Sequence, residues 1–187
     1  MATKSTIIKV KLEIADMDRH YYQDHPLTLA RHPSETDQRL MARIVAFALN
    51  ASDSLSFSSS LSSEDDEPEL SDKSLTGEIN LWVAFGTPDE KWLRKASNRA
   101  REVQVFAYGT HSVPVWWKQN EKALTRYHNL KIWELPETEL ADAAQLVSRG
   151  MKLQCNISEG QIWLSNDAGS HTLEPLVLKD FVTDSRA

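Results

Sequence analysis

Glu78-Ile79-Asn80-Leu81-Trp82-Val83-Ala84-Phe85-Gly86-Thr87-Pro88-Asp89-Glu90 orders the rest of the chain. Ile79, Leu81, Val83 and Phe85 alternate with Asn80, Trp82 and Ala84, the two-residue period of a strand. Both faces are largely apolar, which suits a central strand buried on both sides. Thr87-Pro88-Asp89-Glu90 then predicts a helix start, with Thr as N-cap, Pro at the first helical position and Glu at the third. Leu93, Ala96 and Ala100 give that helix a small-residue face for close packing on a sheet.

Strand and helix keep alternating from there. Val103 to Tyr108 reads as a strand, a helix follows from Pro114, and Leu130 to Glu134 is a further strand. Pro136 to Arg149 reads as a helix stopped by Gly150 at C′. This is the pattern of parallel βα units. The C-terminal part differs. Lys152–Ser158, Gln161–Asn166 and His171–Val177 predict an antiparallel meander with turns at Glu159-Gly160 and Asp167-Ala168-Gly169.

Upstream, residues 6–14 alternate, with Ile8, Val10, Leu12 and Ile14 on one face. Tyr21 to Leu29 predicts a second strand, joined to the first as a hairpin through a turn at Asp16 to Arg19. Ser34 as N-cap with Asp37 three residues on predicts a helix to about Asn50. Leu40, Met41, Ile44, Val45 and Ala48 form its buried stripe. The expected fold is one α/β domain over residues 1–187. A mixed central sheet is flanked by helices, with an N-terminal hairpin and a C-terminal antiparallel meander.

Charge is uneven along the chain. The net charge is −6 over 187 residues. Seven of the 27 acidic residues and one of the 21 basic residues lie in the serine-rich stretch 51–77, so the rest of the chain is balanced. That stretch reads as a long acidic loop with a short helical turn at Leu61 to Glu67. It is a solvated insertion on composition, with a mobile lid as the sharper alternative. A balanced body lacks the broad positive field of a strong duplex binder. No run approaches the roughly 20 apolar residues of a membrane span. Met1 to Lys11 lacks a secretory apolar block. Cys155 is the single cysteine, which excludes an internal disulfide and a cysteine-built zinc site. A cytoplasmic location is expected.

Several motif classes are missing. The six histidines show no HxxxH pairing for zinc, and no GxSxG, Walker A or GxGxxG occurs. Leu27-Thr28-Leu29-Ala30-Arg31-His32-Pro33-Ser34-Glu35-Thr36, Leu81-Trp82, Gly86, Pro88-Asp89-Glu90, Lys95-Ala96, Trp116-Trp117 and Ile162-Trp163-Leu164-Ser165, in that order, resemble the YaeQ family. The resemblance implies a restriction-endonuclease-like core related to PD-(D/E)XK nucleases. Members of that superfamily hold Mg²⁺ with strand-borne carboxylates beside a lysine. Hard Mg²⁺ prefers carboxylate oxygen, and metal and lysine together stabilise the hydroxide and the charge developing on phosphate.

Carried onto this chain, the resemblance implies a remnant site. Relatives tend to carry Asp at the position of Asn80 and Glu at that of Ala84, two positions on one strand face. The superfamily lysine falls at Gly86, and Lys95 on the next helix is the substitute. Glu35 completes the set, with Arg39 and Arg43 on the following turns and Trp82 as a binding residue able to stack on a base. Asn and Ala leave the ion's charge to water and Glu35, so no resident metal or other cofactor is expected. Mg²⁺ enters only on the nuclease alternative.

The plainer readings stand beside these. Glu35, as the second helical residue, favours the helix dipole. His32 anchors its loop or serves as a ligand. Trp116 and Trp117 cannot both face inward, and with Trp163 they suggest an aromatic interface. Cys155 reads as inert core. The expected function is a catalytically degenerate protein that binds nucleic acid or protein through the ancestral cleft, with a regulatory role and no membrane partner. The alternatives are a Mg²⁺-dependent nuclease and a protein-interaction module.

Overall fold

The computed structural model describes residues 4–58 and 67–183; the helical turn expected at Leu61 to Glu67 lies almost wholly outside them. Among the described residues there are four helices, and eleven strands that form two mixed sheets. The chain forms two compact units, neither of them one continuous stretch.

The first unit holds β1 (Thr6–Asp16), β2 (Tyr21–Arg31), α1 (Asp37–Asn50), α4 (Glu137–Ala144), β8 (Gly150–Ser158), β9 (Gln161–Asn166) and β10 (Gly169–Leu173). The strands form a sheet in the order β10-β9-β8-β1-β2. β1 is antiparallel to β2 and parallel to β8. The alternation in β1 sends Ile8, Val10, Leu12 and Ile14 inward and leaves Lys9 and Lys11 exposed. α1 packs on β1 and α4, and α4 packs on β10. The Asp18 carboxylate accepts the backbone N–H groups of Glu159 (2.7 Å) and Gly160 (3.0 Å), tying the first hairpin turn to the turn after β8. Those bonds, the Gly160 bond foremost, hold the Asp18 carboxyl below the usual carboxylate range.

The second unit holds β3 (Leu55–Phe57), β4 (Leu70–Lys73), β5 (Ile79–Phe85), α2 (Glu90–Arg99), β6 (Ala100–Tyr108), α3 (Ser112–Leu124), β7 (Leu130–Leu135) and β11 (Leu176–Lys179). Its strand order is β11-β7-β6-β5-β4-β3, with β5-β6 and β6-β7 parallel. α2 and α3 both pack on β6.

Several expectations are corrected. The single central sheet is two sheets, because the N-terminal hairpin and the C-terminal meander join each other through β1 and β8. The 51–77 loop contains β3 and β4, which extend the second sheet beyond β5. α1 is capped by Thr36, whose hydroxyl accepts the Arg39 N–H, and not by Ser34. α2 is capped by Asp89, which accepts the Lys91 N–H, and not by Thr87. Each winning cap lies nearer the first apolar residue that the helix buries. α4 ends at Ala144, and Gly150 opens β8 instead of closing the helix. The third meander strand divides at Glu174-Pro175. Proline cannot donate to a ladder, so β10 ends at Leu173 in the first sheet and β11 pairs with β7 in the second.

Lys179 is a buried cation with a structural task. Its Nζ donates to the carbonyls of Tyr127 (2.8 Å), Leu130 (2.8 Å) and Asp180 (3.1 Å). Burial pushes its pKa down, against the Asp180 charge that pushes it up. Lys179→Met keeps the alkyl stem and strands the three carbonyls. It is expected to cost about 2–3 kcal/mol, read as a lower urea midpoint at unchanged m-value.

Candidate functional site

The residues singled out in the sequence fall into two groups, one in each unit. In the first unit, Glu35 precedes the Thr36 cap and so stands outside α1. Its side chain is only 4% exposed. Arg43 Nη1 donates to both carboxylate oxygens, at 3.0 and 3.1 Å, and Arg39 Nη1 reaches Oε1 at 3.2 Å. The one-turn spacing of Arg39 and Arg43 on α1 places both guanidinium groups over the same carboxylate. Arg43 also donates to the Ala30 carbonyl (3.3 Å).

Arg31 is a member of this cluster that sequence reasoning missed. It donates to the Glu35 carbonyl through Nη2 (2.8 Å) and to Asp37 (2.6 Å). It sits at the end of β2, so no helical spacing announces it. His32 is a loop anchor, with Nδ1 bonded to Ser34 Oγ at 2.6 Å.

In the second unit, Asn80, Trp82 and Ala84 share a face of β5, as the two-residue period requires. Trp82 and Ala84 on that face lie in the core. Trp82 is 1% exposed and Ala84 6% exposed, in one apolar cluster with Leu93 and Ala96 of α2. Trp92 meets the Trp82 ring edge-on at 5.5 Å, and Arg99 lies over it at 5.1 Å. A ring buried this way is not accessible for base stacking, which corrects the binding role expected of Trp82. Its indole N–H is buried without a hydrogen-bond partner. Lys95 stands exposed on α2, whose inward residues are Leu93 and Ala96.

Asn80 Nδ2 donates to Asp72 Oδ1 at 3.3 Å. Asp72 on β4 also accepts the hydroxyls of Ser52 (3.1 Å) and Ser54 (2.7 Å). Partial burial raises its pKa, and the bonds from Ser54, Asn80 and Ser52 outweigh that, so the carboxyl sits below its ordinary value. Asp72 is the other residue the sequence left unnoticed, because it lay in a stretch read as loop. Its only signal was the short apolar alternation around Leu70.

Neither group by itself suits Mg²⁺, which prefers carboxylate oxygen. On β5, Asn80 and Ala84 offer an amide and a methyl, and in the first unit the Glu35 carboxylate is already paired with two guanidinium groups. Among the described residues, no three His, Cys, Asp or Glu side chains come together as metal ligands. Trp116 and Trp117 do not both face inward: the first is buried and the second half-buried. Trp116 is 8% exposed and donates to the Pro88 carbonyl at 2.7 Å. Trp117 packs against the same core. Trp163 belongs to the other unit. Cys155 is buried, and burial first, then the Asp16 charge, pushes its thiol up to about 12.

A family model described as "YaeQ protein" matches residues 1–175. The chain belongs to the YaeQ family. It is 41% identical over 167 residues to the uncharacterized protein YaeQ of Escherichia coli (strain K12), covering 89% of this chain and 92% of that one. The YaeQ protein of Xanthomonas axonopodis pv. citri superimposes with a TM-score of 0.90 at 45% identity, covering 94% of this chain and 98% of that one. The crystal structure of the Pseudomonas syringae YaeQ protein gives 0.89 at 34% identity, covering 96% and 98%. No helix among the described residues is long and apolar enough to cross a membrane.

Two outcomes test this geometry. Glu35→Ala strands the buried Arg43 charge and is expected to cost about 3 kcal/mol, with Glu35→Ala/Arg43→Met recovering most of the loss. Equal urea midpoints for wild type and Glu35→Ala would show that the pair carries no stability. For Asp72 the folded pKa is depressed, so its contribution is present above the unfolded value and is lost as pH falls through the folded one. Asp72→Asn is expected to flatten the fall in thermal midpoint below about pH 4.

Proposed function

We propose that this YaeQ-family protein is built on a fold related to the PD-(D/E)XK nucleases and has lost catalysis. On this reading it is a cytoplasmic binding or regulatory protein that engages nucleic acid or protein through the ancestral cleft. The observation that carries the reading is the state of the expected ligand positions. Ala84 lies under α2 in the apolar core, and the Glu35 carboxylate is committed to Arg39 and Arg43. A glutamate in place of Ala84 would enter that apolar cluster, where a charge is costly. The chain passes between the two units more than once, which supports treating residues 1–187 as one YaeQ-like domain. Because fold alone assigns no activity, the reading rests on these side chains.

The test is a cleavage assay with plasmid and single-stranded DNA in Mg²⁺ or Mn²⁺, with Glu35→Ala beside the wild type. Neither protein is expected to cut above a buffer control. Cleavage by the wild type that disappears in Glu35→Ala would overturn the loss of catalysis.

A further inference from the structure

The outward face of the first unit's sheet combines features that no structural requirement explains. Three shallow hollows, of about 610, 590 and 450 Å³, open on this one face. Cross-strand register arranges the face in rows. One row runs Thr172, Trp163, Asn156, Ala15, Tyr22 across all five strands. Tyr22 is 61% exposed, and Trp163 is half-buried. The two aromatics stand three strand spacings apart, about 14 Å, with the small Ala15 and the amide of Asn156 between them. The next row brings Ser165, Gln154, Glu13 and Asp24 together.

Further along, Lys11 pairs with Lys152 and Lys9 with Gly150. Gly150 has open space above its Cα, where a side chain would meet nothing within 4 Å. The three lysines are exposed and border that hollow. Glu13 lies 3.8 Å from Lys11 and 3.5 Å from Lys152. The hollow bordered by the three lysines has one acid, Asp24, in its lining, and Glu13 and Asp167 line the other two. The face is therefore balanced as a whole, with its positive charge gathered at one hollow.

We propose that this sheet face binds single-stranded nucleic acid. Bases would stack on Tyr22 and Trp163, the Asn156 and Gln154 amides would meet base edges, and Lys9, Lys11 and Lys152 would meet the backbone. Exposed aromatics on an open sheet require bases already free of a stack, which a duplex does not offer. An acidic peptide would use the lysines and leave the aromatic row idle. The balanced charge of the face implies modest affinity, with a shallow salt dependence set by the three lysines. The inference is independent of the cleft reading, because it concerns a different surface and requires no statement about catalysis.

The experiment is fluorescence anisotropy of labelled single-stranded DNA and RNA 15-mers with the full-length protein at low salt. A duplex of the same sequence and a polyglutamate peptide serve as competitors. Tyr22→Ala is expected to weaken single-strand binding about tenfold, with Tyr22→Phe retaining it. Lys11→Ala/Lys152→Ala is expected to weaken it and to reduce the slope of log K against log salt by about 1.4, for two lost phosphate contacts. Lys118→Ala, on α3 of the other unit, is expected to change nothing. Circular dichroism confirms that each variant is folded. Three results would each overturn the proposal: no single-strand binding at low salt, binding indifferent to Tyr22→Ala, or stronger competition by duplex or polyglutamate than by unlabelled single strand.

Discussion

The parallel ladder between β1 and β8, from Lys9 opposite Gly150 to Asp16 opposite Ile157, is the constraint on which the first unit depends. Without it, β1 and β2 would be a lone two-stranded ribbon, which is marginal in water. With it, β1 becomes an interior strand. Its apolar residues then make a floor wide enough for α1 and α4 to cover. The ladder ends at Asp16, which is 1% exposed and accepts the Asp18 and Arg19 N–H groups. Arg19 in turn donates to the Ala48 and Ala51 carbonyls at the C-terminal end of α1. The strand pairing, the hairpin turn and the helix terminus are thus held by one connected set of bonds.

A similar constraint governs β5. It lies between β4 and β6, and α2 covers the face that carries Trp82 and Ala84. A position that would suit a metal ligand on an open strand is here part of one apolar cluster with Leu93 and Ala96. The polar chemistry lies elsewhere. It is found in the guanidinium–carboxylate cluster around Glu35, in the hydroxyl and amide bonds on Asp72, and on the outward face of the five-stranded sheet. In the first two, the hydrogen-bond partners lie within the same unit. The third points Lys9, Lys11, Lys152 and the Tyr22 ring into solvent.

The elements with strong periodicity were legible in the sequence. The β1 alternation, the α1 stripe, the β5 pattern and the Glu159-Gly160 turn all stand where they were expected. That turn uses positive φ at both residues, 52° and 75°, which Gly160 adopts without a Cβ penalty. Helix starts were less legible, because Ser34-Glu35-Thr36 and Thr87-Pro88-Asp89 each offer more than one capping side chain. Only the direction in which the helix buries its stripe selects among them. β3 and β4 were hidden because three or four residues of alternation cannot be told from loop, and their serine and acid content pointed the other way. At the site, the shared strand face of Asn80 and Ala84 was legible, and so was the one-turn spacing of Arg39 and Arg43. Arg31 and Asp72 were not, since each meets its partner through strand pairing or chain entry and not through sequence spacing.

The sequence by itself determined most of the strands and helices, the shared face of Asn80, Trp82 and Ala84, the inward Cys155 and the family. Each follows from local periodicity or from an ordered set of motifs along one chain. Only the tertiary structure decided that there are two sheets, that α2 closes the β5 face, that Glu35 is held by two arginines, and that aromatics and lysines gather on one open sheet. Those outcomes depend on pairings between residues far apart in the chain. Such pairings are set by which surfaces bury together, and no local pattern records them.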